Sequence, residues 1–284
     1  MKTLIIISGF ILLIVVGLYW FVNSAIDEFD IFTKPLPEVE GNTEYWSFGV
    51  IGDTEGLSLV TQTIINAMAE QDLEFAVHLG DIAGSPDSAQ IKNVMRAFDK
   101  LPYPVHYIPG NNDLSFEEST QEKTTDLFTS IVYWDTYRSL DEKNAHIVLL
   151  DNSYRRYGFY DEELEWLRED LDNNTQEHTF LFYHRPIDLP GEEWFGDDET
   201  TYSRGQNKKF IELISNYEIN RIFNGHLHTT LSYAINNIPV TISGGGGGKP
   251  QKLFGGEKAA VYHFYIVHVP VDGSRPAIEI VEFR

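Results

Sequence analysis

From Tyr45 onward the chain alternates two kinds of apolar pattern. Short runs rich in β-branched and aromatic residues, at 45–51, 75–79 and 104–108, are separated by stretches near 57–71 and 88–99 where apolar positions recur at helical spacing. That rhythm predicts an α/β sheet. Further strands follow near 144–150, 178–183 and 219–224, with helices near 161–172 and 204–215. The runs at 229–235, 239–242, 261–268 and 276–282 then crowd together, which predicts a second, more antiparallel sheet packed on the first. There is no internal repeat, and the one low-complexity segment is the glycine run Gly244 to Gly248.

The first 44 residues follow a different pattern. Leu4 to Val22 is nineteen residues without a charge, a length that crosses a hydrocarbon core of roughly 30 Å. A cleavable leader is the alternative, but its apolar region is usually about 7 to 15 residues. Residues 1–22 are therefore expected to form a single transmembrane anchor. Lys2 precedes the span while Asp27, Glu28 and Asp30 follow it, so the positive-inside bias places the bulk of the chain outside the cytoplasm, either periplasmic or extracellular. Tyr19, Trp20 and Phe21 fall at the outer interface. Residues 23–44, with Pro35 and Pro37 and no clear period, read as a linker, leaving 45–284 as the folded domain.

Composition narrows the partners. The 42% hydrophobic content can fill a sizeable core, and the absence of cysteine means that no disulfide framework supports it and no lipidated thiol replaces the apolar span as anchor. Acidic residues outnumber basic ones 43 to 21, for a net charge of -22, which repels nucleic-acid backbones and anionic headgroups. Nucleic acid is a disfavoured partner. Oligomeric state has no sequence signal.

In an α/β sheet, ligands gather at the carboxyl ends of strands. Here those ends form a series. After 45–51 comes "GDTEG" with Asp53 and Glu55, after 75–79 "GDIAG" with Asp81, and after 104–108 "GNND" with Asn111. The strand at 178–183 delivers His184 in "YHRP", and that at 219–224 delivers His226 and His228 in "NGHLH". A lone Gly-Asp after a strand is usually just a turn. Five strand ends that all supply oxygen or imidazole and no sulfur make a ligand mix suited to Mg²⁺, Mn²⁺, Fe or Zn.

The order of these blocks resembles the calcineurin-like metallophosphoesterases, whose pattern runs D-x-H, G-D-x-x, G-N-H-[DE], a lone H and G-H-x-H. The resemblance spans about residues 47 to 245, including "HIVLLDNS" and "EELEWLREDL" between the blocks. It implies a four-layer α/β/β/α sandwich of two mixed sheets and a centre of two divalent or mixed-valence metal ions (Mn, Fe, Zn or Mg). By this resemblance Asp53, Glu55, Asp81 and His228 hold one ion, and Asp81, Asn111, His184 and His226 the other, with Asp81 as bridge and catalytic residue. Two ions roughly 3.5 to 4 Å apart can share a hydroxide, lower its pKa toward neutrality and neutralise phosphoryl oxygens during in-line attack.

Two positions depart from the family pattern. Glu55 replaces the histidine of D-x-H, which favours harder ions if it ligates. Asn112 replaces the histidine of G-N-H-[DE], to which the family's leaving-group protonation is linked. Asparagine cannot donate that proton, although its NH₂ can bond a phosphoryl oxygen. Asp113 is the nearest substitute acid by sequence, or else orients the turn. Arg185, beside His184, is a candidate substrate contact, with Arg155 and Arg156 weaker ones. His78, His106, His146, His178, His263 and His268 read as packed or edge residues. Gly244 to Gly248 either brings N–H groups to phosphate or forms a flexible loop.

The expectation is a membrane-anchored phosphoesterase acting on a small phosphorylated substrate, with a phosphodiester or activated monoester preferred because Asn112 lacks the acid. The alternative is a catalytically impaired surface protein that binds metal or phosphate on the same fold.

Overall fold

The computed structural model describes residues 44–117, 122–132, 135–189, 200–252, 256 and 258–283. The expected anchor and nearly all of the linker lie outside these. Among the described residues no helix is long and apolar enough to cross a membrane.

The first half folds as its periodicity predicts: β1 (Tyr45–Ile51), α1 (Leu59–Ala69), β2 (Ala76–His78), α2 (Ser88–Phe98) and β3 (Val105–Tyr107). Local chemistry starts the helices. Ser58 Oγ accepts the Thr61 N–H at 3.0 Å, and Asp87 Oδ1 accepts that of Ala89 at 2.8 Å, so each caps a first turn. The segment after β3, for which no element was expected, holds a hairpin of β4 (Ser115–Glu117) and β5 (Glu122–Thr124), then α3 (Asp126–Val132) and β6 (Arg138–Glu142). The rest comprises β7 (Ala145–Leu149), α4 (Asp161–Asn173), β8 (His178–Phe182), α5 (Thr201–Ile214), β9 (Arg221–Asn224), β10 (Thr230–Ile235), β11 (Ile238–Ser243), β12 (Tyr262–Pro270) and β13 (Ala277–Phe283).

Two sheets carry these strands, in the orders β13-β12-β1-β2-β3 and β10-β11-β9-β8-β7-β6. The expectation of a mostly antiparallel second sheet is corrected here. β7, β8, β9 and β11 run parallel, and only the edge strands β6 and β10 pair antiparallel. The late strands β12 and β13 return instead to the first sheet, where β12 pairs antiparallel with β1. Crowding along the sequence showed that strands were present but not which sheet they joined.

Side-chain alternation builds the layers. On β1, Trp46, Phe48 and Val50 face the second sheet; Phe48 stacks on Phe75, which leads into β2, at 4.9 Å and meets Phe180 of β8 edge-on at 5.2 Å. Ile51 of β1 and Phe264 and Ile266 of β12 face the other way, onto Ile64 and Met68 of α1 and Val94 and Phe98 of α2. Beyond the second sheet, Tyr183 packs edge-on against Phe159 and Phe210, which stack on each other at 4.2 Å at the base of α4 and α5. The result is an α/β/β/α sandwich. Each buried ring contributes about 1.5 to 3 kcal/mol of hydrophobic stabilisation, and together they fix where the strand ends meet.

Candidate metal centre

The carboxyl ends of β1, β2 and β3 converge with those of β8 and β9, and hydrogen bonds cross between the sheets. His184 Nδ1 reaches Leu79 O at 2.8 Å, and both oxygens of Asp53 accept the His226 N–H at 2.9 and 3.0 Å. Backbone shape concentrates here too. Asp53, Glu55, Asp81 and His226 hold φ of 57°, 47°, 50° and 67°, a left-handed conformation that L-residues adopt at a cost of roughly 1 to 2 kcal/mol each. Gly110 is needed for a different reason: a β-carbon there would strike the backbone and carboxylate of Asp81.

The ligand candidates gather in two neighbouring groups. Asp81, His184 and His226 offer ligand atoms that all lie within 4.8 Å of one another. Asn111 Oδ1 stands 3.1 Å from His184 Nε2, and Asp81 Oδ1 3.4 Å from the same nitrogen. On the other side, His228 Nε2 lies 3.7 Å from Asp53 Oδ1 and 3.6 Å from Glu55 Oε1. The Glu55 carboxylate thus faces the centre.

The ring tautomers suit ligation. His184 Nδ1 donates to Leu79 O, and His228 Nδ1 to Lys249 O at 3.2 Å, which turns each Nε2 toward the carboxylates. Burial lowers His184 to about 3, helped by the nearby positive charge of Arg185, and drives His226 well below its usual value, so both rings are neutral. Burial acts on the acids in the opposite direction. It raises Asp53 well above the carboxylate range, with the charge of Asp81 adding to it, and lifts Asp81 to about 7. A centre of charge-starved carboxylates and neutral imidazoles, with oxygen and nitrogen donors only, fits hard or borderline dications, which reverse the burial cost on the acids.

The three residues of the "NND" turn separate in role. Asn111 presents its oxygen to His184. Asn112 donates its backbone N–H to Asp81 Oδ1 at 2.8 Å, and its side-chain NH₂ to Asp81 Oδ2 at 2.9 Å and Glu55 Oε1 at 3.5 Å. Asp113 is fully buried, and its oxygens take the N–H groups of Gly110, Ile82 and Ala83 at 2.9, 3.0 and 3.3 Å. Its carboxylate ties the end of β3 to the loop after β2; burial lifts it to about 8, reinforced by the charge of Asp81.

Asn152, passed over in the sequence, is buried and grips the Arg185 backbone from both sides: its Oδ1 accepts that N–H at 2.9 Å and its NH₂ donates to that carbonyl at 2.7 Å. Its signal was its place at the end of the strand at 144–150. The glycine run is a packed strap and not a flexible loop. Gly246 and Gly248 donate their N–H groups to Gly52 O and Asp53 O, both at 2.8 Å, so those donors are committed to the Asp53 loop. A β-carbon at Gly248 would stand 2.7 Å from the His228 ring. The other histidines have partners elsewhere: His78 bonds Thr54, His106 bonds Arg138, His146 bonds two aspartates, His178 and His263 face carbonyls and His268 meets Ser47.

This order of blocks, converging at one end of two packed sheets, matches the family profile for calcineurin-like phosphoesterases over residues 47–230. The chain belongs to that family. Calcineurin-like phosphoesterases are in general hydrolases with binuclear metal centres. Among solved structures, a purple acid phosphatase from yellow lupin seeds is similar at TM-score 0.64 and 13% identity, over 87% of this chain and 53% of that one. This chain therefore spans about half the lupin protein's length. An anchor of the inner membrane complex of Plasmodium matches at TM-score 0.61 and 12% identity, over 84% of each chain. A Thermus thermophilus protein matches at TM-score 0.51 and 10% identity, over 85% of this chain and 100% of that one. At these identities the likeness is one of fold.

Proposed function

We propose that this calcineurin-like protein is a metal-dependent phosphoesterase that hydrolyses small phosphate esters, phosphodiesters or activated monoesters before ordinary monoesters. The observation that carries this reading is the pair of histidines, His184 and His228, each with Nδ1 committed to a backbone carbonyl and Nε2 turned toward carboxylates. In this reading Asp53, Glu55, Asp81 and His228 hold one ion, and Asp81, Asn111, His184 and His226 the other. Bound there, the ions supply an activated water and neutralise phosphoryl charge. Arg185, buried against the histidines and held by Asn152, contributes positive charge toward the substrate phosphate. Asp113 positions the loops that carry Asp81 and Asn111.

We further propose that residues 4–22 anchor the protein, with the catalytic domain outside the cytoplasm, as charge asymmetry supports. A second reading, metal or phosphate binding without turnover, draws on one observation: the Asn112 amide donates to Asp81 and Glu55, where the family pattern has a histidine. One experiment separates them. Residues 41–284 are loaded with Mn²⁺, Fe or Zn and assayed on an activated aryl phosphodiester and the corresponding monoester. The expected result is faster diester turnover, abolished in Asp81→Ala. No turnover with any metal, together with no effect of Asp81→Ala on metal content, would sink the enzyme reading.

A further inference from the structure

A fully buried histidine beneath the centre takes no part in metal binding or in the chemistry proposed above. His78 lies on β2, edge-on to Phe98 of α2 at 5.5 Å and tilted against Tyr107 of β3 at 5.7 Å. Both rings belong to the apolar cluster that packs α1 and α2 on the first sheet. Among the described residues the Nδ1 of His78 has no hydrogen-bond partner, and its Nε2 has one, the Thr54 hydroxyl at 3.1 Å. A nitrogen buried without a partner is a cost that a leucine in this place avoids. The imidazole therefore weakens the core around it, and the one group it serves is Thr54.

Thr54 stands between two ligand candidates. Asp53 and Glu55 on either side hold the left-handed φ of 57° and 47°, while the Thr54 side chain turns into the core and donates its hydroxyl to Ile82 O at 3.0 Å. That proton is spent on Ile82, so the contact with Nε2 takes an N–H from His78. Burial lowers the His78 pKa to about 3, which leaves the ring neutral with one N–H to give. Around this bond the two ligand loops run side by side. Asp53 N–H meets Gly80 O and Glu55 N–H meets Asp81 O, both at 3.0 Å, and Gly56 N–H meets Ile82 O at 2.9 Å. The glycine strap closes on the same residue, for a β-carbon at Gly246 would stand 3.1 Å from the Thr54 methyl.

We propose that His78 is a positioning residue: through the Thr54 hydroxyl it holds the strained loop 53–55 in the shape that brings Asp53 and Glu55 to one metal ion, and so sets the affinity for that ion alone. The inference rests on the two-ion reading of the centre. Asn111, His184 and His226, assigned to the other ion, come from other loops, and Asp81, shared by both, keeps its own bonds from Asn112. Leucine at position 78 removes the unpartnered nitrogen and leaves Thr54 its bond to Ile82, so its effects on stability and on metal affinity run in opposite directions.

The test measures Mn²⁺ binding by calorimetry, and the thermal midpoint of chelator-treated protein, on the full-length chain; neither needs turnover. His78→Leu is expected to weaken one of two binding events about tenfold, the low end for loss of a group that orients a ligand, to leave the other unchanged, and to keep or raise the midpoint. His78→Gln, whose amide donates to Thr54 from near the place of Nε2, is expected to keep the wild-type affinity. Two unchanged events in His78→Leu, equal weakening of both, or a glutamine variant as weak as the leucine one overturns the positioning role. A lowered midpoint, or a His78→Leu chain that does not fold, shows that the ring serves packing and overturns it too. Wild-type protein that takes up no Mn²⁺ overturns the two-ion reading itself, and the positioning role with it.

Discussion

Asn112 controls two different bonds to Asp81, and only one of them depends on its side chain. The backbone N–H to Asp81 Oδ1 survives any substitution except proline, while the amide contacts to Asp81 and Glu55 do not. Asn112→His therefore keeps the loop and restores a proton donor, so rates on poor leaving groups should rise toward the 10²- to 10⁴-fold range of general acid catalysis, roughly, while good leaving groups gain little. Equal gains on both would show that protonation is not what position 112 controls. Glu55 is tested by counting ions. With its carboxylate 3.6 Å from His228 Nε2, Glu55→Gln should reduce tightly held metal from two ions per chain to one, measured after dialysis by plasma emission. Two ions retained would remove Glu55 from the ligand set.

At the scale of elements, His146 of β7 joins three pieces of the second sheet's outer face. Its Nδ1 meets Asp141 of β6 at 2.7 Å and its Nε2 meets Asp170 of α4 at 2.8 Å. With both nitrogens facing carboxylates, the protonated form of the ring is favoured. Burial pulls its pKa down, but the bonds to Asp170 and Asp141 outweigh this and leave it raised. A raised folded pKa means stability fully present below the unfolded value of about 6.5 and lost as pH rises through the folded one. His146→Gln should cost about 1.5 to 3 kcal/mol at pH 6 and clearly less at pH 9, read from urea midpoints; an equal loss at both would show that the ring acts by shape alone. This pair of contacts could not be foreseen, because β6, "RSLDE", carries three charges and no apolar alternation. The hairpin was hidden by the same kind of polar text, "SFE" and "EKT", whereas α3, "DLFTSIV", is apolar but at seven residues too short to show a helical period. The parallel strands were legible because burial on both faces demands continuous apolar runs such as "AHIVL" and "HTFLF". The ligand candidates were legible because each directly follows such a run. What Asn152 and the glycine strap hold was not, since their partners are backbone atoms distant in the chain and leave no pattern of side-chain type.

For the whole molecule, the acids of the centre set the response to pH and metal. Asp81 and Asp113, lifted by burial to about 7 and about 8, bind protons in the fold that the unfolded chain has released above its value of about 3.9. Stability falls wherever the folded state binds more protons, so these groups destabilise progressively up to about pH 8. His184 and His226, held low by burial, act in the opposite sense and destabilise as pH drops below about 6.5. In the His146→Gln background, which removes the raised imidazole, the thermal midpoint of chelator-treated protein should fall between pH 6.5 and 8.5, and Mn²⁺ should raise it more at 8.5. A flat profile without metal would show that the carboxylates are already neutralised within the chain. The left-handed backbone at Asp53, Glu55, Asp81 and His226 extends this argument to how the family can change. Glycine at any of these positions would relax the loop and delete a donor in the same step. Selection for a sturdier fold alone therefore erodes the centre, whereas selection for activity preserves the strain. A descendant that has become only a scaffold should show glycine at these four places first.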